Sequence, residues 1–434
     1  MVQYSINRNK FNDNNNDMYE VVMVAGQSGP SIYVPLGNLN ASSDAFGRMR
    51  VSEPHTVFDS SFRYADNLRK WTQKIAGTGS STFSTTEGLV NVTIGTASGN
   101  EVVRETNRAF AYQPGKSLFV MNTFTLAAPK ANLRQRVGYF GKRNGIYFEQ
   151  DGLNTYIVKR SNITGVVENT RIAQDDWNID KLDGFGPSGI TLSVEHSQIF
   201  WTDIEWLGVG SVRTGFVING QFIVAHIFHH ANITTGAYIT TASLPCRYEI
   251  TNTGITASPS TLKQICSTVI SEGGFTIHNA TRSASNPITG KNLVNGILNP
   301  MISIRLRSNH TDAIAIPVTI DLYGLQNTAF KYSILRKVTS LTNASWVLQD
   351  SAGSVEYDLS ATALTGGEVI KEGLFKGIDT APTILLTEIF NSSLQLTREV
   401  IDNDSAGNIF TVAITPTTNN DDAIAALTWQ EFNL

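Results

Sequence analysis

The chain has 434 residues, with 33 Lys and Arg against 37 Asp and Glu and a formal net charge of -4. That length exceeds one ordinary core and requires two or three domains. The near-neutral balance and the lack of a basic stripe argue against a nucleic-acid partner.

Charged residues make up 16% of the chain, below the usual quarter, and Thr, Ser, Asn and Gly take their place. This composition suits exposed β-surfaces that pack densely on copies of themselves. No run of 18 apolar residues and no charged-then-apolar leader is visible, so neither membrane insertion nor a secretory signal is expected. Cys246 and Cys266 form no disulfide framework, and zinc-type spacings are absent, so two buried thiols are expected.

Residues 1–41 read as an extended N-terminal arm. They hold a polar run, Asn12–Asp17, and one strand candidate, Tyr19–Ala25; such an arm orders on a neighbour and can add a strand to its sheet. Residues 42–78 read as a docking connector. Within it Asp66–Lys74 has the makings of one or two helical turns, too short to stand alone.

From 79 to 280 strand follows strand. Leu89–Ile94 alternates, with Val90, Val92 and Ile94 on one side. Asn144-Gly145 and Asn219-Gly220 are hairpin signals, joining Val137–Gly141 to Gly145–Gln150 and turning Gly215–Phe228 back on itself. Many hairpins with few helix patterns predict an all-β chain built on a β-sandwich. The strand order is similar to that of concanavalin-like and laminin-G-like jelly rolls. Residues 281–300, rich in Ser, Asn, Gly and Pro, read as a linker. From 301 to 434 a second β-domain is expected, closing on a docked strand at Trp429–Leu434.

The stretch Ser42–Ser60, with Asp44-Ala-Phe-Gly-Arg-Met-Arg-Val-Ser52 followed by Pro54 and Phe58-Asp-Ser60, has no catalytic logic. It resembles a segment near the N-terminus of virion structural proteins of tailed bacteriophages, marine ones especially. Two further stretches, Ile199–Phe216 and Leu262–Phe275, resemble the same family in the expected order. The resemblance implies a particle protein made in the bacterial cytoplasm and found in the virion, with other virion proteins as partners. It leaves open a tail or fibre role, favoured here, and capsid decoration. A homo-oligomer is expected, a trimer by analogy with fibres. Phe46, Arg48, Arg50 and Phe58 are the candidate docking residues.

Three constellations invite chemistry. Trp201-Thr-Asp-Ile-Glu205 is similar over five residues to the Glu-x-Asp-x-Glu strand of family 16 glycoside hydrolases. The match implies Asp203 at the middle acid and Glu205 at the acid/base, but Trp201 stands where the nucleophile belongs and cannot attack an anomeric carbon. A structural role is therefore expected over polysaccharide cleavage. His226, His229 and His230 fit no metal signature, and hydrogen-bonded histidines at a strand end are the plainer reading. Asp176, Trp177, Asp180 and Asp183 form an acidic loop with an aromatic, a candidate site for Ca²⁺ or for stacking a host surface glycan. The plainer alternative there is a turn capped by its own side chains.

Overall fold

The computed structural model describes residues 53–274, 280–310, 312–378, 382–386, 395–397 and 409–432, together with the backbone of three strands before residue 36. Those three, β1 (Ile6–Asn12), β2 (Met18–Val24) and β3 (Tyr33–Pro35), pair antiparallel in a sheet of their own. The first 53 residues form one unit and Pro54–Leu434 the other. The arm therefore carries a small meander, whereas one strand was expected. Phe46, Arg48 and Arg50 lie outside the described residues.

The first sandwich begins at residue 54. Its strands are β4 (Pro54–Ser61), β5 (Trp71–Ala76), β6 (Gly79–Ser84), β7 (Leu89–Ile94), β8 (Glu101–Thr106), β9 (Ser117–Thr125), β10 (Leu133–Phe140), β11 (Gly145–Asp151) and β12 (Asn154–Ser161). They continue with β13 (Glu168–Ala173), β14 (Gln198–Ile204), β15 (Val212–Ile218), β16 (Gln221–Phe228), β17 (Cys246–Asn252) and β18 (Ser260–Glu272). One sheet runs β13-β12-β11-β10-β17-β8-β5, the other β16-β15-β14-β9-β18-β7-β6, with β4 also on β18. Strand β18 pairs with β9 along one edge; on the other it pairs first with β7 and then with β4, end to end.

One apolar core lies between the two sheets, and Val90, Val92 and Ile94 reach it from β7 as their alternation requires. The layers are also tied by polar groups. Tyr248 donates its hydroxyl to the Cys266 carbonyl at 2.9 Å. Arg104, fully buried, gives Nε to Gln264 Oε1 at 2.7 Å and its remaining nitrogens to Ser81, Gln73 and the Asp66 carbonyl. All four acceptors are neutral, so burial outweighs the charge of Asp66 and pulls the guanidinium down to about 10.

Both expected hairpins form, the first through the loop at residues 141–144 and the second at Asn219-Gly220. Asn219 and Gly220 have φ of 54° and 75°, the doubly positive pair that suits the twist of flanking strands. At Gly145, φ is 143°, and a Cβ there would sit 2.2 Å from that of Phe140, so the β10–β11 hairpin needs glycine.

The expected helical turns at Asp66–Lys74 are one turn, closed by Lys70 N to Asn67 O at 2.9 Å, and then strand. Trp71 decides this. It is buried against Phe58, Phe62 and Tyr248, and an extended backbone delivers it there. The docking connector is thus corrected in its second half, because β4 and β5 belong to the sandwich.

A second sandwich follows: β19 (Ala280–Ser285), β20 (Lys291–Leu293), β21 (Asn299–Leu306), β22 (Ile314–Gly324), β23 (Ala329–Thr342) and β24 (Val347–Leu348), then β25 (Val355–Asp358), β26 (Ala363–Lys376), β27 (Thr383–Leu385), β28 (Leu396–Thr397), β29 (Ile409–Pro416) and β30 (Asp421–Phe432). Its sheets, β19-β30-β22-β27 and β24-β25-β21-β29-β23-β26, enclose a separate core. The linker expected at 281–300 is partly strand, since β19 and β20 both pair with the closing strand β30. The two sandwiches meet over a small apolar patch of Ala109, Ala111, Ile314 and Phe432.

Candidate functional site

The acidic loop after β13 is a folded cap on the sandwich. Ile179 N and Asp180 N both donate to Ala225 O, and Asn178 pairs with both backbone groups of Ile227. Asp180 accepts from Leu182 N at 2.9 Å and Ser188 N at 2.8 Å, while Asp183 accepts from Phe185 N at 2.8 Å. Burial opposes the charge of Asp180, but the Leu182 amide and the Ser188 donors overcome it and hold its pKa below the usual carboxylate range. Its oxygens are directed at amide hydrogens, a donor set for a turn and not for Ca²⁺.

Trp177 is 2% exposed, stacks on Phe216 and donates to the Ile172 carbonyl. Its faces are spent in the core, so the expected sugar stacking is corrected; Asp176 beside it is exposed. Phe58, read as a docking residue, is likewise buried, 5.0 Å from the ring of Phe110.

The carboxylates of the glycosidase-like pattern do not converge. Asp203 is opposite Arg213 on β15 and is held by that guanidinium and by the Ser117 hydroxyl. Strand β14 ends at Ile204, so Glu205 lies beyond it and is exposed. Two residues apart on a continuous strand would share a face; here the strand stops before the second.

The histidines form no metal cluster among the described residues. His226 Nδ1 accepts from Asn178 N, and burial, with nearby His229, lowers it to about 4. His229 pairs with the Ser211 hydroxyl. His230 stacks on Tyr238 with ring centroids 3.7 Å apart. Its Nδ1 is 2.7 Å from the Gly210 carbonyl, so that nitrogen carries the proton, and Nε2 accepts from Lys159 Nζ at 3.2 Å.

Two features escaped the sequence reading. The first is a charge ladder on the face of the seven-stranded sheet turned away from the core. Arg247 bridges Glu105 at 3.1 Å and Glu249 at 2.9 Å; Arg136 joins Glu249 at 3.0 Å to Glu149; Arg171 joins Glu149 to Asp151, each at 2.7 Å. Burial works against Glu249, yet Arg247 and Arg136 hold it down at about 2. A carboxylate so clamped stays ionised and is no general acid. Alternate-residue charges, as in Arg247-x-Glu249, were the available signal, but their register across strands comes only from the fold.

The second is a groove of about 570 Å³ along β12 and β13 and the segment after β16. Seven of its twelve lining residues carry hydroxyls: Ser161, Thr164, Thr170, Thr234, Thr235, Tyr238 and Thr240. Lys159 and Glu168 supply its charges. The Tyr238 hydroxyl is buried and unpartnered. Thr240 also lines a neighbouring depression of about 380 Å³ with Tyr112, Trp206 and Ser243. Hydroxyls, one ammonium and a half-buried indole are groups suited to a polyhydroxylated ligand.

No protein-family model and no curated protein matches the chain. Among solved structures, a mixed-linkage-glucan GH16 protein of Bacteroides ovatus is similar at 9% identity and a TM-score of 0.34, covering 49% of this chain and 99% of that one. Peanut lectin is similar at 10% identity and a TM-score of 0.31, covering 52% of this chain and all of the lectin. The CBM2 module of the evolved Dit of Lactobacillus casei phage J-1 is similar at 7% identity and a TM-score of 0.33, covering 52% of this chain and all of the module. At these identities the likeness is one of chain path and carries no residue role across.

Proposed function

We propose that this chain is a non-enzymatic structural component of a tailed-phage particle, tail-associated, whose sandwiches form its body. One observation carries the reading. The three stretches that resemble virion proteins are far apart in sequence, yet their described parts share one sheet. Pro54–Ser61 runs along Ser260–Glu272, and Ile199–Phe216 supplies β14 and most of β15 two strands away. Segments that build one sheet together would be kept or lost together, as the resemblance requires. The clamped carboxylates of the ladder and the Arg213–Asp203 pair support a role without catalysis. Cryo-EM of purified particles tests it. Density for this chain on the tail supports the reading; density on the capsid lattice makes it a decoration protein; absence from purified particles refutes both.

A second reading, recognition of a host glycan by this same tail component, is favoured by the hydroxyl-lined groove beside Lys159.

A further inference from the structure

We propose that the groove along β12 and β13 takes a carboxylated saccharide, with the Lys159 ammonium pairing the carboxylate. This rests on the glycan-recognition reading and adds the chemical class of the ligand.

Lys159 sits half-buried on β12, its Nζ 5.6 Å from the ring centre of Phe228 and 5.9 Å from that of Tyr238. Its hydrogen-bond partner is a neutral imidazole, because His230 spends its proton on the Gly210 carbonyl. Among the described residues no carboxylate is within ion-pair distance of this ammonium. Glu168, the acid in the lining, is exposed and tied to the Thr164 hydroxyl at 3.1 Å.

Burial pushes the lysine below its ordinary pKa without an anion to offset it. A half-buried cation whose only polar partner is neutral is incompletely compensated. Here it opens on a groove where, among the described residues, the hydroxyls of Thr170 and Thr235 have no hydrogen-bond partner. One half-buried cation among hydroxyls, with the exposed Glu168 already tied to Thr164, matches a sugar bearing one carboxylate, and not a polyphosphate, which would need several cations. The charge-assisted contact supplies discrimination, and the hydroxyls supply orientation.

The test uses the full chain and oligomers of galacturonate, mannuronate and glucuronate. Each is paired with its carboxyl-reduced, neutral counterpart, and binding is followed by calorimetry. At least one acidic oligomer is expected to bind about tenfold or more tightly than its neutral partner, the ratio for roughly 1.5–3 kcal/mol from a charge-assisted bond. Lys159→Met brings that ratio close to one, and Lys159→Arg keeps part of it, with thermal midpoints certifying that each variant is folded. Equal affinity for an acidic and a neutral oligomer overturns the charge inference and leaves glycan recognition standing. Binding of none of the six overturns both.

Discussion

Replacing Phe58 by alanine separates a core role from a docking role for the second half of the motif. The ring is 4% exposed and packs on Trp71 at 6.0 Å and Phe110 at 5.0 Å, with the Arg108 guanidinium 5.8 Å above it. Deleting a buried phenylalanine side chain costs about 3–5 kcal/mol, from lost transfer energy and the cavity left behind. Collapse is restricted here because β4 is pinned to β18 along seven register pairs. The upper half of that range is therefore expected. At roughly 2–4 °C per kcal/mol for a domain of this size, the midpoint of the first sandwich falls by about 8–20 °C. Urea unfolding followed by tryptophan fluorescence reads the loss, since Trp71 reports on this region. A loss below about 1 kcal/mol, with incorporation into particles abolished, would refute the argument and return Phe58 to an interface.

Arg104→Met should cost about 2–4 kcal/mol, because Gln264 Oε1, Ser81, Gln73 and the Asp66 carbonyl lose their donor inside the sandwich; chemical denaturation checks the loss. His226 is depressed to about 4, so the unfolded chain takes up its proton first as pH falls from about 6.5, and up to roughly 3 kcal/mol of stability is lost between pH 6.5 and 4. Denaturation midpoints across that window should flatten in His226→Gln. Trp177→Ala should destabilise the sandwich by about 3–5 kcal/mol, and differential scanning calorimetry would show it as a lower midpoint.

What the sequence made legible was local. The Asn219-Gly220 turn was readable because its geometry is written in two adjacent residues, the β10–β11 hairpin because Gly145 takes a φ that favours glycine, and β7 because its apolar residues fall on every second position. Strand β4 was not, because Pro54-His-Thr-Val-Phe has no turn-bounded alternation and its partner is encoded far downstream. Strand β19, Ala-Thr-Arg-Ser-Ala-Ser, is polar and small; its pairing with β30 makes it a strand, and composition made it look like a linker. At the site, flanking aspartates suggested that Trp177 faces solvent, whereas hydrogen bonds to β16 fold the loop inward. The groove brings together residues 159–170 and 234–240, a proximity set by the fold.

The tandem pairing of β7 and β4 on a single edge of β18 has a consequence for synthesis. The segment Pro54–Ser61 emerges early, but its partner Ser260–Glu272 follows roughly 200 residues later, which at about 5–20 residues per second is on the order of 10–40 s. For that interval β4 has no partner strand to pair with. Closing this edge is therefore one of the last steps in building the first sandwich, and a ribosome-bound chain short of residue 272 still carries β4 as an unpaired strand.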